Sequence, residues 1–302
     1  MVSLESSLPA LSPHTPPLFW QWRDQAIAYQ HRGDRGPAVL LIHGFGASWG
    51  HWRKNIPVLG EHCRCYAIDL LGFGASAKPI PSQTLGYTFT TWAALVADFC
   101  REVIGGPAVL IGNSIGCVVA MQTATDHPEL VTGLIALNCS LRLLHDRKRS
   151  ALPWYRRVGA GVLQAMLGYP QIGKLFFRQV ARAKTVRQAL CQAYGDKNAV
   201  TDELVAMLLR PAQDKGAAEV FLAFTGYSQG PLPEDLLPSI HCPTVLIWGE
   251  ADPWEPISLG RALQNYDCVE QFISLSGLGH CPQDEAPEVI NPILRQWIME
   301  WS

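Results

Sequence analysis

AVLIGNSIGCVVAMQTA, residues 108–124, contains the junction on which the fold turns. Residues 108–111 are apolar throughout, as a strand covered on both faces should be. The stretch VVAMQTA beyond reads as a helix. Between them Ser114 stands two residues from both Gly112 and Gly116. One reading is a loop serine with flexible neighbours. The other is the strand–turn–helix pattern G-x-S-x-G, in which a strained turn raises a serine hydroxyl above a sheet. The glycines then stand where strand and helix approach too closely for a Cβ. The helix N-terminus adds partial positive charge at the same point.

The rest of the chain repeats this alternation. AVLLIHG (38–44), RCYAIDLLG (64–72), VTGLIALNC (131–139), TVLIWGE (244–250) and VEQFISLSG (269–277) read as strands. Residues 91–104, 114–128 and 287–301 read as helices, and residues 17–33 as an opening antiparallel pair turning near Asp24. Strands alternating with helices predict an α/β fold with a mostly parallel central sheet and helices on both faces. From Ser140 to Ile240 the rhythm changes to helical patterns alone, at 155–167, 173–182, 201–210 and 216–228. The predicted division is therefore a poorly ordered leader over 1–18, a core of 19–139 and 241–302, and an all-helical cap over 140–240. The cap is expected over the C-terminal ends of the strands, where open α/β sheets bind ligands.

Composition narrows the functional classes. Of 302 residues 48% are hydrophobic and 17% charged, enough for a large core. The net charge, 24 − 26 = −2, gives no reason to expect nucleic acid as a partner. Nine cysteines without CxxC or zinc-type spacing read as free thiols of a reducing, cytoplasmic compartment. The N-terminus has no secretory pattern, and no apolar run is long enough to span a bilayer.

A serine hydroxyl needs a base, and the base needs an orienting acid. Of the histidines after Ser114, His127, His145 and His241 sit in charged or strand-entry contexts. His280, in SGLGHCPQDE, follows the last strand and precedes the last helix. WGEADPWEP places Asp252 and Glu250 just beyond another strand. Asp252 is the first choice, because Pro253 stiffens its loop, and Glu250 the second. A solvated turn carboxylate is the plain alternative. The order Ser114, Asp252, His280 is the one the elbow motif requires. Donors for a tetrahedral oxyanion are expected from the backbone N–H groups of Ile115 and Phe45, the latter in the turn HGFG. GFGAS occurs at both 44–48 and 72–76, as repeated turn chemistry rather than a domain repeat. The spacing does not match a nucleotide-binding glycine loop.

HGFG, DLLGFGAS, GNSIG, GEAD and the late GH together resemble the α/β-hydrolase fold superfamily from about Phe19 onward. GFGASWGHWRKNIPVL, ALNCSLR, WGEADPWEP and GHCPQDEAPEVIN are similar more narrowly to the plant and cyanobacterial pheophytinase and chlorophyll dephytylase group. That resemblance implies a serine hydrolase with a triad at Ser114, Asp252 and His280, working without metal or cofactor. It points to phytyl esters of chlorophyll-type pigments as substrates. Large apolar residues in the cap predict a pocket for a bulky apolar ester, with Trp49, Trp52 and Trp154 as candidate walls; core packing is the other reading of the first two. The basic run Arg147, Lys148, Arg149, Arg156 and Arg157 is either a solvated face or a peripheral contact with an anionic, thylakoid-type membrane surface. A C–C bond hydrolase or thioesterase on the same triad, or a receptor that keeps only the pocket, are the competing functions.

Overall fold

The computed structural model describes residues 10–12, 14–82, 85–143, 145–149 and 169–301. Eight strands form one sheet in the order β1-β2-β4-β3-β5-β6-β7-β8. They are β1 (Leu18–Trp22), β2 (Gln25–Arg32), β3 (Ala38–Ile42), β4 (Arg64–Ile68), β5 (Ala108–Asn113), β6 (Val131–Leu137), β7 (Thr244–Gly249) and β8 (Val269–Leu275). The opening pair is antiparallel and turns at Arg23 and Asp24, both in the left-handed region. β2 runs antiparallel to β4, and every later pairing is parallel.

Alternation along the central strands builds two cores. Leu40 and Ile42 join the layer containing α1 (Phe89–Phe99) and α2 (Ile115–Asp126). Val39 and Leu41 face the opposite layer, with Trp49, Trp52, Ile56 and the C-terminal helix. Successive side chains of a strand point to opposite faces, so one apolar run supplies both layers. β3 and β5 are buried along their whole length. Thr88 caps α1 by accepting the Thr91 amide, and α1 ends in an open turn over Cys100–Ile104 before Gly105 at φ 81°. In the leader, Leu11 packs against the second core and its amide donates to Arg53 O at 2.9 Å.

Between β6 and β7 the described regular structure is helical: α3 (Pro170–Val180), α4 (Ala183–Ala193), α5 (Asp202–Leu209) and α6 (Ala217–Gly226), with shorter turns. α4 has no counterpart in the sequence reading, although Val186, Leu190 and Ala193 mark one face. The helix expected at 155–167 lies outside the described residues, as do Trp154, Arg156 and Arg157. α7 (Pro287–Glu300) closes the chain against the second core. Among the described residues, no helix is long and apolar enough to cross a membrane, and all nine cysteines are free thiols.

Candidate active site

The turn after β5 is strained where the sequence pattern requires it. Ser114 has φ 56° and ψ −121°, a conformation costly for any residue with a side chain. A Cβ on Gly112 would come within 2.5 Å of Cys117 N and the Gly116 carbonyl. On Gly116 it would strike the carbonyl oxygens of Ile42 and His43 at the end of β3. The two glycines therefore let β5, α2 and β3 meet beneath Ser114. Gly44 is tight as well, though less so: a Cβ there would be 3.1 Å from Ser114 Cβ.

His280 Nδ1 lies 2.7 Å from Asp252 Oδ2, and both residues are buried. Nδ1 is the donor to the carboxylate, which leaves Nε2 as the ring's free acceptor. Ser114 and His280 line one cavity together with Gly44, Phe45 and Asn113. No hydrogen bond joins Nε2 to Ser114 Oγ among the described residues, a contact commonly open before substrate binds. Glu250, the second-choice acid, is exposed and its amide continues the β7–β8 ladder onto Leu275 O.

Burial by itself would raise the Asp252 carboxyl. The hydrogen bond and charge of His280, the Asn138 amide and the Glu255 N–H outweigh it and hold that carboxyl below its usual range. Asp252 Oδ1 accepts from the backbone N–H groups of Trp254 and Glu255 at 2.8 and 3.1 Å, while Asn138 Nδ2 donates to Oδ2. Both carboxylate oxygens are thus engaged, and the carboxylate orientation is fixed.

The HGFG turn is held from below. His43, fully buried, accepts the Leu70 N–H at Nε2 and approaches Gly44 O with Nδ1 at 2.7 Å. Burial lowers its pKa to about 4, so it stays neutral. Asp69 accepts the amides of Trp49 and Ala75 at 2.6 and 2.7 Å, joining the two GFGAS turns through one carboxylate. Burial pushes Asp69 up to about 7 despite those donors and Lys78. Phe45 follows with its ring stacked on Phe224, and Ile115 opens α2, whose first N–H groups have no intrahelical acceptor.

The cavity has a volume of about 370 Å³ and is walled chiefly by apolar cap side chains. Phe177 and Val180 of α3, Val186, Ala189 and Leu190 of α4 and Phe221 of α6 line it together with the serine. Trp49 and Trp52, read as pocket wall or core, take the second role: both are buried in the second core, Trp52 is 0% exposed, and neither lines this cavity. Their short helical turn (Trp49–Trp52) rolls them under the sheet, where large apolar area is worth most. Among the described residues, the tryptophan that lines the cavity is Trp254, its ring edge-on to His280 at 5.0 Å. In the basic run, Arg147 is ion-paired with Asp235 and Lys148 with Glu234 at 2.8 Å.

Several supporting residues carry no motif of their own. Asn113 Nδ2 donates to His280 O at 2.9 Å and to Leu137 O at 3.2 Å, tying the elbow to the His280 loop. Glu255 accepts from Ser140 Oγ and Leu141 N at 3.0 and 2.9 Å. His51 lines the cavity with both ring nitrogens buried and unpartnered, and burial lowers its pKa to about 4, so it is uncharged at neutral pH. Asn138 sits in ALNCSLR, a stretch the sequence already marked, at φ 46°. The sequence reading runs the strand through Asn138 to 139; the structure ends β6 at Leu137 and leaves the asparagine in the left-handed region just beyond it.

Residues 39–293 match the family described as "Alpha/beta hydrolase family". A chloroplastic pheophytinase of Arabidopsis thaliana is 28% identical over 296 residues, which cover 87% of this chain and 61% of that protein. The chain therefore spans less than two thirds of that plant protein's length. The uncharacterized hydrolase YugF of Bacillus subtilis is 28% identical over 90% of this chain and 94% of its own. Among solved structures, the epoxide hydrolase CorEH superposes with a TM-score of 0.78 at 21% identity, over 95% of this chain and 99% of that one, a likeness of fold alone.

Proposed function

The chain belongs to the alpha/beta hydrolase family, and from that premise we propose that it is a serine hydrolase of carboxylic esters bearing a bulky apolar group. The observation that carries this reading is the His280–Asp252 pair at 2.7 Å, opening on the cavity that strained Ser114 also lines. In this reading His280 Nε2 takes the Ser114 proton as Oγ attacks the ester carbonyl. Asp252, held anionic, stabilises the imidazolium that forms. The N–H groups of Phe45 and Ile115 receive the oxyanion. The imidazolium then protonates the leaving alcohol, and water repeats the sequence on the acyl-enzyme.

Serine at the elbow favours acyl transfer over epoxide or halide displacement, which needs a carboxylate nucleophile in that place. The apolar cap wall supports a substrate with an extended hydrocarbon part. Likeness to a pheophytinase makes phytyl esters of chlorophyll-type pigments the first substrates to try. A fluorophosphonate probe is expected to label Ser114, and Ser114→Ala to lose p-nitrophenyl ester turnover by about 10⁴-fold or more. A labelled protein that cleaves no ester would overturn the enzymatic reading. A panel of chlorophyll, pheophytin and simple acyl esters, assayed for released phytol, decides the pigment; intact pigment beside rapid short-ester cleavage removes it.

A further inference from the structure

The His280 loop is supported by the cap as much as by the sheet. Its own amide donates to Ala193 O, the last residue of α4, at 2.7 Å. One residue on, the Tyr194 hydroxyl donates to Asp284 Oδ2 at 2.7 Å. Glu285 bridges the two segments: Oε1 accepts the Asp196 N–H at 2.7 Å and Oε2 the Gly279 N–H at 2.9 Å. The backbones also touch. A Cβ on Gly279 would overlap Ala193 O, and one on Gly195 would overlap Gly277 O. Cys281 completes the contact by packing into the cluster of Leu190, Ala193, Tyr194 and Leu204.

Asp284 links this seam to the core domain. It is fully buried, with Arg53 Nη1 at 2.5 Å and Lys54 Nζ at 3.2 Å. Tyr194 thus rests on a carboxylate that two cations hold in place, and α4 also walls the cavity through Val186, Ala189 and Leu190. A wall that carries the His280 backbone is unlike a lid free to lift from it.

We propose that Glu285 and Tyr194 are positioning residues for His280, clamping the end of α4 onto the 277–285 loop so that the imidazole meets Ser114 and Asp252 only with this part of the cap docked. The proposal rests on the serine-hydrolase reading for its activity assay, though not for its structural readout. A shift of about 1 Å in a reacting group can cost on the order of a hundredfold in rate. The clamp therefore acts on kcat, with substrate affinity little changed.

The test compares full-length wild type with Glu285→Ala, Glu285→Gln and Tyr194→Phe. Three readouts serve: ester kcat and KM, the rate of Ser114 labelling by a fluorophosphonate, and the low-field proton resonance of His280 Nδ1–H. Glu285→Ala is expected to lower kcat and labelling rate together by about tenfold or more with KM within about threefold, and to broaden or abolish the resonance. Glu285→Gln keeps one acceptor and should fall between. A folded Glu285→Ala protein with kcat within about twofold of wild type and an unchanged resonance overturns the clamp. Should Glu285→Ala fail to fold, Tyr194→Phe decides: reduced kcat with an altered resonance supports the clamp, and wild-type values for both overturn it. A wild type that resists labelling sinks the serine reading instead, while the resonance still reports on the clamp.

Discussion

Asn138 and Asp252 are joined side chain to side chain, Nδ2 to Oδ2 at 2.7 Å, across the ends of two neighbouring strands. The same asparagine accepts the Gly249 N–H at 3.1 Å and donates its own amide to Ile247 O. It thus fixes the chain leaving β7 and the carboxylate that this chain presents. Oδ2 is also the atom facing His280, so Asn138 and His280 share one acceptor.

Replacing Asn138 by Ala is therefore expected to lower ester kcat by about ten- to a hundredfold, at or below the roughly 10²–10⁴-fold that a whole general base contributes. It also removes one of the groups that keep the Asp252 carboxyl low. A carboxyl depressed in the folded state contributes stability above its ordinary range and loses it as pH falls through the folded value. Without Asn138 the folded value moves up towards the ordinary one, so less stability is lost on acidification and the loss is complete at higher pH. Chemical denaturation of wild type and variant from neutral to acid pH measures it; parallel curves would show that Asn138 has no electrostatic part.

Glu255 behaves in the opposite sense. Burial raises its carboxyl from the ordinary 4.5 to about 7, against the donors Leu141 N and Ser140 Oγ and the nearby His280. Between those values the folded state holds a proton that the unfolded chain has released, so this group makes stability fall as pH rises. Glu255→Gln removes the effect. The stability of the variant relative to wild type should grow with pH, by up to about 1.4 kcal/mol per pH unit in that window. Urea titrations at several pH values read the slope directly, and a constant difference refutes the raised carboxyl.

Trp254 stands beside the imidazole and lines the cavity, with 43% of its surface still exposed. A large ring in that position offers apolar contact to a bulky substrate and little to a small one. Trp254→Ala should raise KM for long-chain or polycyclic esters by roughly tenfold, about 1.4 kcal/mol of lost contact, and leave short acetates nearly unchanged. Equal effects on both classes would mean that the ring supports His280 rather than the substrate.

The parts of the site that were legible are those made by local backbone chemistry. Glycines at 112 and 116 around a serine announce a turn too tight for side chains, and neighbouring residues alone enforce it. His280 and Asp252, which the structure pairs at 2.7 Å, were singled out because each follows an apolar strand run in the order that the elbow demands. Trp49 and Trp52 show the limit of such reasoning. Two aromatics just after the HGFG turn serve equally well as wall or core in a linear reading, and the roll of one helical turn put them in the core.

Sequence by itself determined the alternating strands and helices, the strained serine and the two loops able to reach it, because those depend on spacing within a few residues. Tertiary structure alone decided what steadies them. β6 lies between β5 and β7, so Asn138, beyond the end of β6, can hold an acid more than a hundred residues away. α4 ends against the 277–285 loop, so cap residues carry the His280 backbone. Such hydrogen bonds link positions distant in sequence, and no local pattern encodes them; they exist only once the sheet order and the seat of the cap have brought their ends together.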